Sequence, residues 1–253
     1  LDAISRIAAE LNKKARVLLR ITPNIDCHSL KAISTGKLDS KFGVPIETGQ
    51  AEIFVKEALS KKNLNLLGYH CHVGSQSFDP QPFLDAEDIM FRFIADMKTK
   101  FSFEAEILNL GGGFGVRYLP EQNNLDIDYM LREISKRAKE NCEKYNVNMP
   151  KMLFEPGRSL VAAAGVTLYT VGNIKTITGY KNYISVDGGM ADNPRYALYE
   201  APYYSLIANR ANEKMDFVAD IAGRCCESGD IIQPNVTIQK AAPEDILAVC
   251  VTG

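Results

Sequence analysis

Nowhere does the sequence run to the roughly 18 consecutive apolar residues that a membrane-spanning helix needs. Nor does a basic, then apolar, then small-residue leader pattern open it. Both absences point away from a membrane or secreted protein. A surplus of charge is missing too. Lysine and arginine number 29 against 31 aspartates and glutamates, a formal net charge of -2. Such a balance gives no electrostatic footprint for nucleic acid or an anionic lipid surface. The cysteines (Cys27, Cys71, Cys142, Cys225, Cys226 and Cys250) show no CxxC spacing. In a chain of 253 residues, 46% of them hydrophobic, they read as reduced cytosolic thiols, because a core of that size needs no disulfide framework. Internal repeats and low-complexity tracts are lacking as well. What is left is a globular, cytoplasmic chain of one barrel-sized domain or two smaller ones.

Within it, β-rich apolar runs alternate with amphipathic stretches. Val17–Thr22, Leu64–His72, Ile107–Leu110 and Met152–Phe154 read as strands. Phe83, Ala86, Met90, Phe93, Ile94 and Met97 recur at helical spacing, as do Ile127, Met130, Leu131, Ile134, Ala138 and Cys142. Strand-helix alternation predicts a parallel α/β sheet, with barrel closure as one option. After about Gly165 the texture changes to short strands and turns: Leu168–Ile177, Asn182–Val186, Phe217–Ala222 and Ile246–Val251. The expected fold is therefore α/β, a partial TIM-type (β/α) barrel over residues 1–165 and a β-rich domain over 166–253.

Three consecutive strand ends carry small, charged or imidazole residues. They are His70-Cys71-His72-Val73-Gly74-Ser75-Gln76, Gly111-Gly112-Gly113-Phe114-Gly115 and Glu155-Pro156-Gly157-Arg158-Ser159. In α/β barrels, loops at that face converge on one site. Three glycines after a strand form either a tight turn or, if a helix follows, a cradle of bare backbone N–H groups for a phosphate. The spacing is not GxGxxG and no acidic ribose partner follows, so a dinucleotide is disfavoured. His70 and His72 share one face of a strand, but without a third ligand at useful spacing a metal pair is disfavoured too. Glu155 and Arg158 read either as charges at a helix start or as a cofactor clamp. In the clamp, a guanidinium fork suits phosphate or carboxylate and a carboxylate keeps a heterocyclic nitrogen protonated. Cys225-Cys226-Glu227 reads equally as inert small residues or as an exposed thiol proton donor.

Together these stretches resemble the alanine-racemase-like, fold-type III pyridoxal-phosphate decarboxylases, and among them the diaminopimelate decarboxylase family. The resemblance extends to Ile33-Ser34-Thr35-Gly36 with Lys41-Phe42-Gly43, Gly68-Tyr69, and Leu108-Asn109-Leu110 ahead of the glycines. It continues through Val186-Asp187-Gly188-Gly189-Met190-Ala191-Asp192-Asn193, Arg195-Tyr196-Ala197-Leu198-Tyr199 and Cys226-Glu227-Ser228-Gly229-Asp230.

The resemblance implies pyridoxal 5'-phosphate as cofactor and a small amino-acid substrate, meso-diaminopimelate, decarboxylated to L-lysine and carbon dioxide. It implies that His72 stacks on the cofactor ring. Ser75, Gly112, Gly113 and the turn Glu155, Pro156, Gly157, Arg158 would hold phosphate and ring, with Glu155 at the ring nitrogen. Arg158, Arg195, Tyr199 and Glu227 would contact substrate. Cys226 would be the general acid, reaching the neighbouring subunit's site in a homodimer with shared active sites. The family's Schiff-base lysine, in a Tyr-Ala-Xaa-Lys-like context, has no match here, and neither has its later Ala-Tyr segment. The chain is thus expected to be cut at both ends. Arg224-Cys225 before Cys226 is more polar than in relatives. The alternatives are a decarboxylase of ornithine, arginine or carboxynorspermidine, against which Cys-Glu-Ser-Gly-Asp stands where such relatives carry Cys-Asp-Gly, and a non-catalytic cofactor-binding homologue.

Overall fold

The computed structural model describes residues 1–25 and 40–253. The chain separates into two compact units, residues 1–115 with 125–157 and residues 116–124 with 158–253. This division differs from the expected one at residue 165. Residues 158–165 go with the second unit, and so does the excursion 116–124, which periodicity alone gives no reason to detach.

The first unit is an α/β sheet. Its elements are α1 (Asp2–Glu10), β1 (Ala15–Thr22), β2 (Val44–Pro45), α2 (Gln50–Ser60), β3 (Leu64–His70), α3 (Gln81–Phe101), β4 (Ile107–Asn109), α4 (Ile127–Tyr145) and β5 (Lys151–Leu153). The strands lie in the order β2-β1-β3-β4-β5, and every pairing is parallel. Alternation along the strands sorts their side chains. Leu19, Ile21, Tyr69, Cys71, Leu108 and Leu110 join Val55, Phe83, Met90, Phe93, Met130 and Ile134 in one buried cluster. Each large apolar side chain removed from water there stabilises the unit by about 1.5–3 kcal/mol. α3 buries Phe83, Ala86, Met90, Phe93, Ile94 and Met97 along one stripe, as the spacing predicts. α4 starts where Asp126 accepts a hydrogen bond from Tyr129 N at 2.9 Å and stops where Asn146 turns left-handed (φ 52°).

The second unit takes in α5 (Gly157–Val161) from Arg158 onward, then β6 (Val166–Ile177), β7 (Lys181–Val186), α6 (Arg195–Tyr199), β8 (Ser205–Ile207), β9 (Met215–Ala222), β10 (Ile231–Gln239) and β11 (Ile246–Cys250). The sheet order is β10-β9-β7-β6-β11-β8. Only the β7–β9 pairing is parallel. Glutamine side chains bridge its two outer strands. Ile207 N donates to Gln239 Oε1 (3.0 Å) and Ser205 Oγ to Gln233 Oε1 (2.6 Å). The sheet is thereby nearly closed around Tyr169, Ile184, Tyr203, Ile221, Ile238 and Leu247.

Candidate active site

In the first unit the parallel ladder continues beyond its strands. Cys71 N donates to Asn109 O (2.8 Å), Leu110 N to Leu153 O (3.0 Å) and Glu155 N to Gly111 O (2.8 Å). Those bonds hold three strand ends level, so the motifs that follow them meet. Asn109 is the joint: its Oδ1 accepts from Gly111 N (2.8 Å) while its Nδ2 donates to Glu155 Oε1 (2.8 Å). One buried amide therefore fixes both the glycine loop and the carboxylate.

The loop's glycines are required by close approach. A Cβ on Gly112 would lie 2.1 Å from Glu155 O, and one on Gly113 (φ 101°) would lie 2.0 Å from Gly74 O. The segment before Ser77 is pinned to the same loop, through Ser77 N to Gly113 O (2.9 Å) and Gly115 N to Ser77 O (2.7 Å). Ser75 is thus carried alongside Gly113. A helix at the end of the loop does not materialise: the next one in this unit, α4, begins only at Ile127. A phosphate here would rest on backbone N–H groups alone, without the help of a helix dipole.

Gly112 N donates to His72 Nδ1 (3.2 Å), which leaves the proton of the neutral ring on Nε2. Burial, the Arg20 guanidinium and His70 all hold His72 below the ordinary imidazole range, against the pull of Glu155. His70 is lowered as well, by burial first and by Arg20, with Glu155 opposing. Its Nε2, buried and without a hydrogen-bond partner, stands 3.6 Å from Glu155 Oε1. At neutral pH both rings are uncharged, so this is a polar contact and not an ion pair. Arg20 at the end of β1 lies over the Phe42 ring (4.5 Å) and within the field of Glu155. This end of the sheet therefore offers a carboxylate, a guanidinium, two neutral imidazoles and a glycine cradle.

The second unit brings Arg158, Arg195 and Tyr199 together and adds Tyr118, which the motifs do not include. Arg158 Nη1 and Arg195 Nε donate to Tyr118 Oη at 2.9 and 3.0 Å. The Arg195 guanidinium lies 4.9 Å from the Tyr199 ring centroid. Burial and the neighbouring Arg195 lower Arg158 from its ordinary value, while Tyr118 and Tyr203 act against that.

Cys226 and Glu227 occupy a different loop and face solvent. Buried Asp230 organises that loop, accepting from Met190 N (2.6 Å) and Cys225 N (2.7 Å). Its Oδ1 would lie 2.3 Å from a Cβ on Gly223 and 2.5 Å from one on Gly189. Arg224 N, donating to Gly188 O (2.9 Å), joins the same two segments. The Asp230 hydrogen bond raises the Cys225 thiol above its ordinary range, with desolvation adding to it. Cys225 is therefore held as a thiol. The Ile33–Gly36 stretch and Cys27 lie outside the described residues.

Sequence reasoning passes over Asn109, Arg20, Tyr118 and Asp230 as site residues. Asn109 and Asp230 sit inside matched motifs, where a polar residue ending a buried strand and an aspartate beside glycines are available signals. Arg20, a charge in an apolar strand, is another. Tyr118 carries no such signal. Among the described residues no cluster of His, Cys, Asp and Glu is placed to hold a metal, and no helix is long and apolar enough to cross a membrane.

Residues 1–162 match the family model of the pyridoxal-dependent decarboxylases, pyridoxal binding domain. The chain is 44% identical over 253 residues to a diaminopimelate decarboxylase of Bacillus methanolicus, which covers all of this chain and 59% of the relative. To the Bacillus subtilis enzyme of the same name it is 42% identical over 247 residues, 98% of this chain and 56% of that one. A crystal structure of diaminopimelate decarboxylase from M. jannaschii in complex with L-lysine superposes with a TM-score of 0.84 at 35% identity, over 99% of this chain and 56% of that one. The chain thus spans a little over half the length of the relatives it matches. Fold, glycine cradle and the match over the whole first unit agree: the chain belongs to the pyridoxal-dependent decarboxylase family.

Proposed function

We propose that the whole protein is a pyridoxal-phosphate-dependent carboxy-lyase that converts meso-diaminopimelate to L-lysine and carbon dioxide. The observation that carries this reading is the junction at Asn109, where glycine cradle and Glu155 carboxylate are locked to one side chain beside neutral His72. The residues present fit the cofactor. Glycines whose absent Cβ atoms leave bare backbone suit a phosphate, and a carboxylate at fixed distance suits a ring nitrogen. When bound, pyridoxal phosphate supplies an electron sink for the pair released as carbon dioxide leaves.

The chain's own residues do the rest. Gly112, Gly113, Ser75 and the turn Glu155, Pro156, Gly157, Arg158 would hold the phosphate and ring. Glu155, held by Asn109, would keep a proton on the ring nitrogen. His72, tethered through Nδ1, would offer the ring an uncharged plane. Arg158, Arg195, Tyr199 and Glu227 receive the substrate, whose second amino-acid head needs both a donor for carboxylate and an acceptor for ammonium. Cys226 delivers the proton that replaces the lost carboxylate. Its exposed loop fits a role in a partner subunit's site, so the working form is read as a homodimer with shared sites in the cytoplasm. The resemblance to decarboxylases named for diaminopimelate supports this substrate.

Purified whole protein supplied with the cofactor is expected to absorb in the visible. It should release carbon dioxide from meso-diaminopimelate with kcat/KM at least about 10⁴-fold above ornithine, since a buried group left unpaired penalises the wrong substrate on that scale. Preference for ornithine or arginine would overturn the substrate and leave the cofactor reading standing. A protein that stays colourless would overturn both.

A further inference from the structure

Two cationic side chains meet on the hydroxyl of Tyr118, a residue none of the recognised motifs contains. Arg158 Nη1 donates to it at 2.9 Å and Arg195 Nε at 3.0 Å. The phenol is buried and its ring is fixed edge-on to Tyr203, with centroids 5.4 Å apart and planes at 87°. The Arg158 guanidinium also lies 5.5 Å from the centroid of that ring. Two like charges side by side repel, and an acceptor shared between them offsets that repulsion. A phenol oxygen has limited capacity: it accepts through its lone pairs and donates one proton. With two guanidinium donors occupying the acceptor side, what remains is an O–H aimed away from both cations and in need of an acceptor. Tyr203, the aromatic neighbour, meets Tyr118 ring edge to ring face, and its own hydroxyl is turned to Asn193 Oδ1 (3.0 Å). A carboxylate is the ligand whose charge suits the arginines and whose oxygens accept from the phenol.

We propose that Tyr118 is a specificity-determining residue, aligning Arg158 and Arg195 as a pair and donating its own proton to a substrate carboxylate that the reaction does not remove. The inference rests on the amino-acid decarboxylase reading above and adds a member to its substrate pocket. It predicts selection for an amino acid that carries a carboxylate in addition to the one lost, with the selection spread over three donors and not over arginine charge alone.

The test uses whole, cofactor-loaded protein with two probes, pimelate (a seven-carbon dicarboxylate without amino groups) and 1,5-diaminopentane (no carboxylate), titrated by calorimetry. Tyr118→Phe keeps the ring against Tyr203 and removes only the hydroxyl. It is expected to weaken pimelate binding about 10–100-fold, the scale of a hydrogen bond to a charged group. Binding of 1,5-diaminopentane and the visible spectrum of the cofactor should stay unchanged. For diaminopimelate, KM should rise while kcat stays within a few-fold. Equal pimelate affinity in wild type and variant overturns the proposal, and so does an equal loss for both probes. Should Tyr118→Phe fail to fold, Tyr118→Gln supplies an acceptor and a donor without the ring. Pimelate affinity within about tenfold of wild type then supports the role, and loss of pimelate with diaminopentane still bound overturns it. A wild type that ignores diaminopimelate would sink the substrate reading, whereas the pimelate comparison decides Tyr118 by itself.

Discussion

Glu155 and Glu87 show how differently one side chain behaves in two places. Glu155 stands half in solvent at a strand end, bonded to Asn109 and facing an uncharged imidazole. Its value is its charge. Glu155→Gln in the whole protein is expected to lower kcat about 10²–10³-fold, the usual cost of losing a preorganised charge partner, while the cofactor stays bound through its phosphate. Near-normal turnover would reduce Glu155 to a helix-end charge. Glu87 on α3 is wholly buried and neither oxygen has a hydrogen-bond partner. Burial, with Asp88 adding to it, pushes its carboxyl up to about 9 from an ordinary 4.5. The folded chain therefore holds a proton that the unfolded chain releases above pH 4.5. Stability attributable to this group is full below that pH and falls as pH rises towards 9, by about 1.4 kcal/mol per unit if nothing compensates. Glu87→Gln should abolish that slope, raising the melting temperature at pH 8 by roughly several degrees and hardly at all at pH 4.5. Parallel melting curves for the two proteins across that range would mean the carboxyl reaches water.

At the scale of elements, what was legible was what repeats. The stripe Phe83 to Met97 and the stripe Ile127 to Cys142 became α3 and α4 because a core-facing helix must repeat apolar side chains every three to four residues. The eight expected strands all form, their ends displaced by a residue or two. Three strands, α2 and the five-residue α6 were not foreseen. β10 contains Pro234, which reads as a breaker; the sheet accommodates it at an irregularity between Gln233 and Val236, where no ladder N–H is needed. β2 and β8 are too short to show alternation. α2 buries only Ala51, Val55 and Ala58, a stripe too narrow and small-sided to stand out. In the candidate site, His70, His72, Glu155, Arg158 and Arg195 stood out by their own chemistry, whereas Arg20 was passed over, and Asn109, Tyr118 and Asp230 act through what they hold and needed coordinates. Asp230 gives this a test. Asp230→Ala strips the acceptor from Met190 N and Cys225 N and is expected to cost about 1–3 kcal/mol, two part-buried bonds to a charged group being lost. Turnover should fall while the cofactor spectrum is kept, because the loop presenting Cys226 loses its anchor. A variant with full activity and a lowered melting temperature would confine Asp230 to stability.

For the whole molecule, the reading of shared sites makes a prediction that no single chain can satisfy. Mixing a Cys226→Ala protein with one lacking its cofactor lysine should recover up to about a quarter of wild-type activity on subunit exchange, since one hybrid site receives both intact groups. Exchange without recovery would mean that each site is built from one chain. Assembly of that kind raises the question of which surfaces stay shut to other copies, and the glutamine bridges across β8 and β10 bear on it. A backbone amide on an outermost strand is an invitation to any passing chain to extend the sheet. Gln239 answers the Ile207 amide from within the fold, and Gln233 occupies the neighbouring Ser205 hydroxyl. An amide already taken recruits no further strand, so at Ile207 this border offers crowded copies no donor. At these two positions side chains thereby do what an additional strand does in a complete barrel.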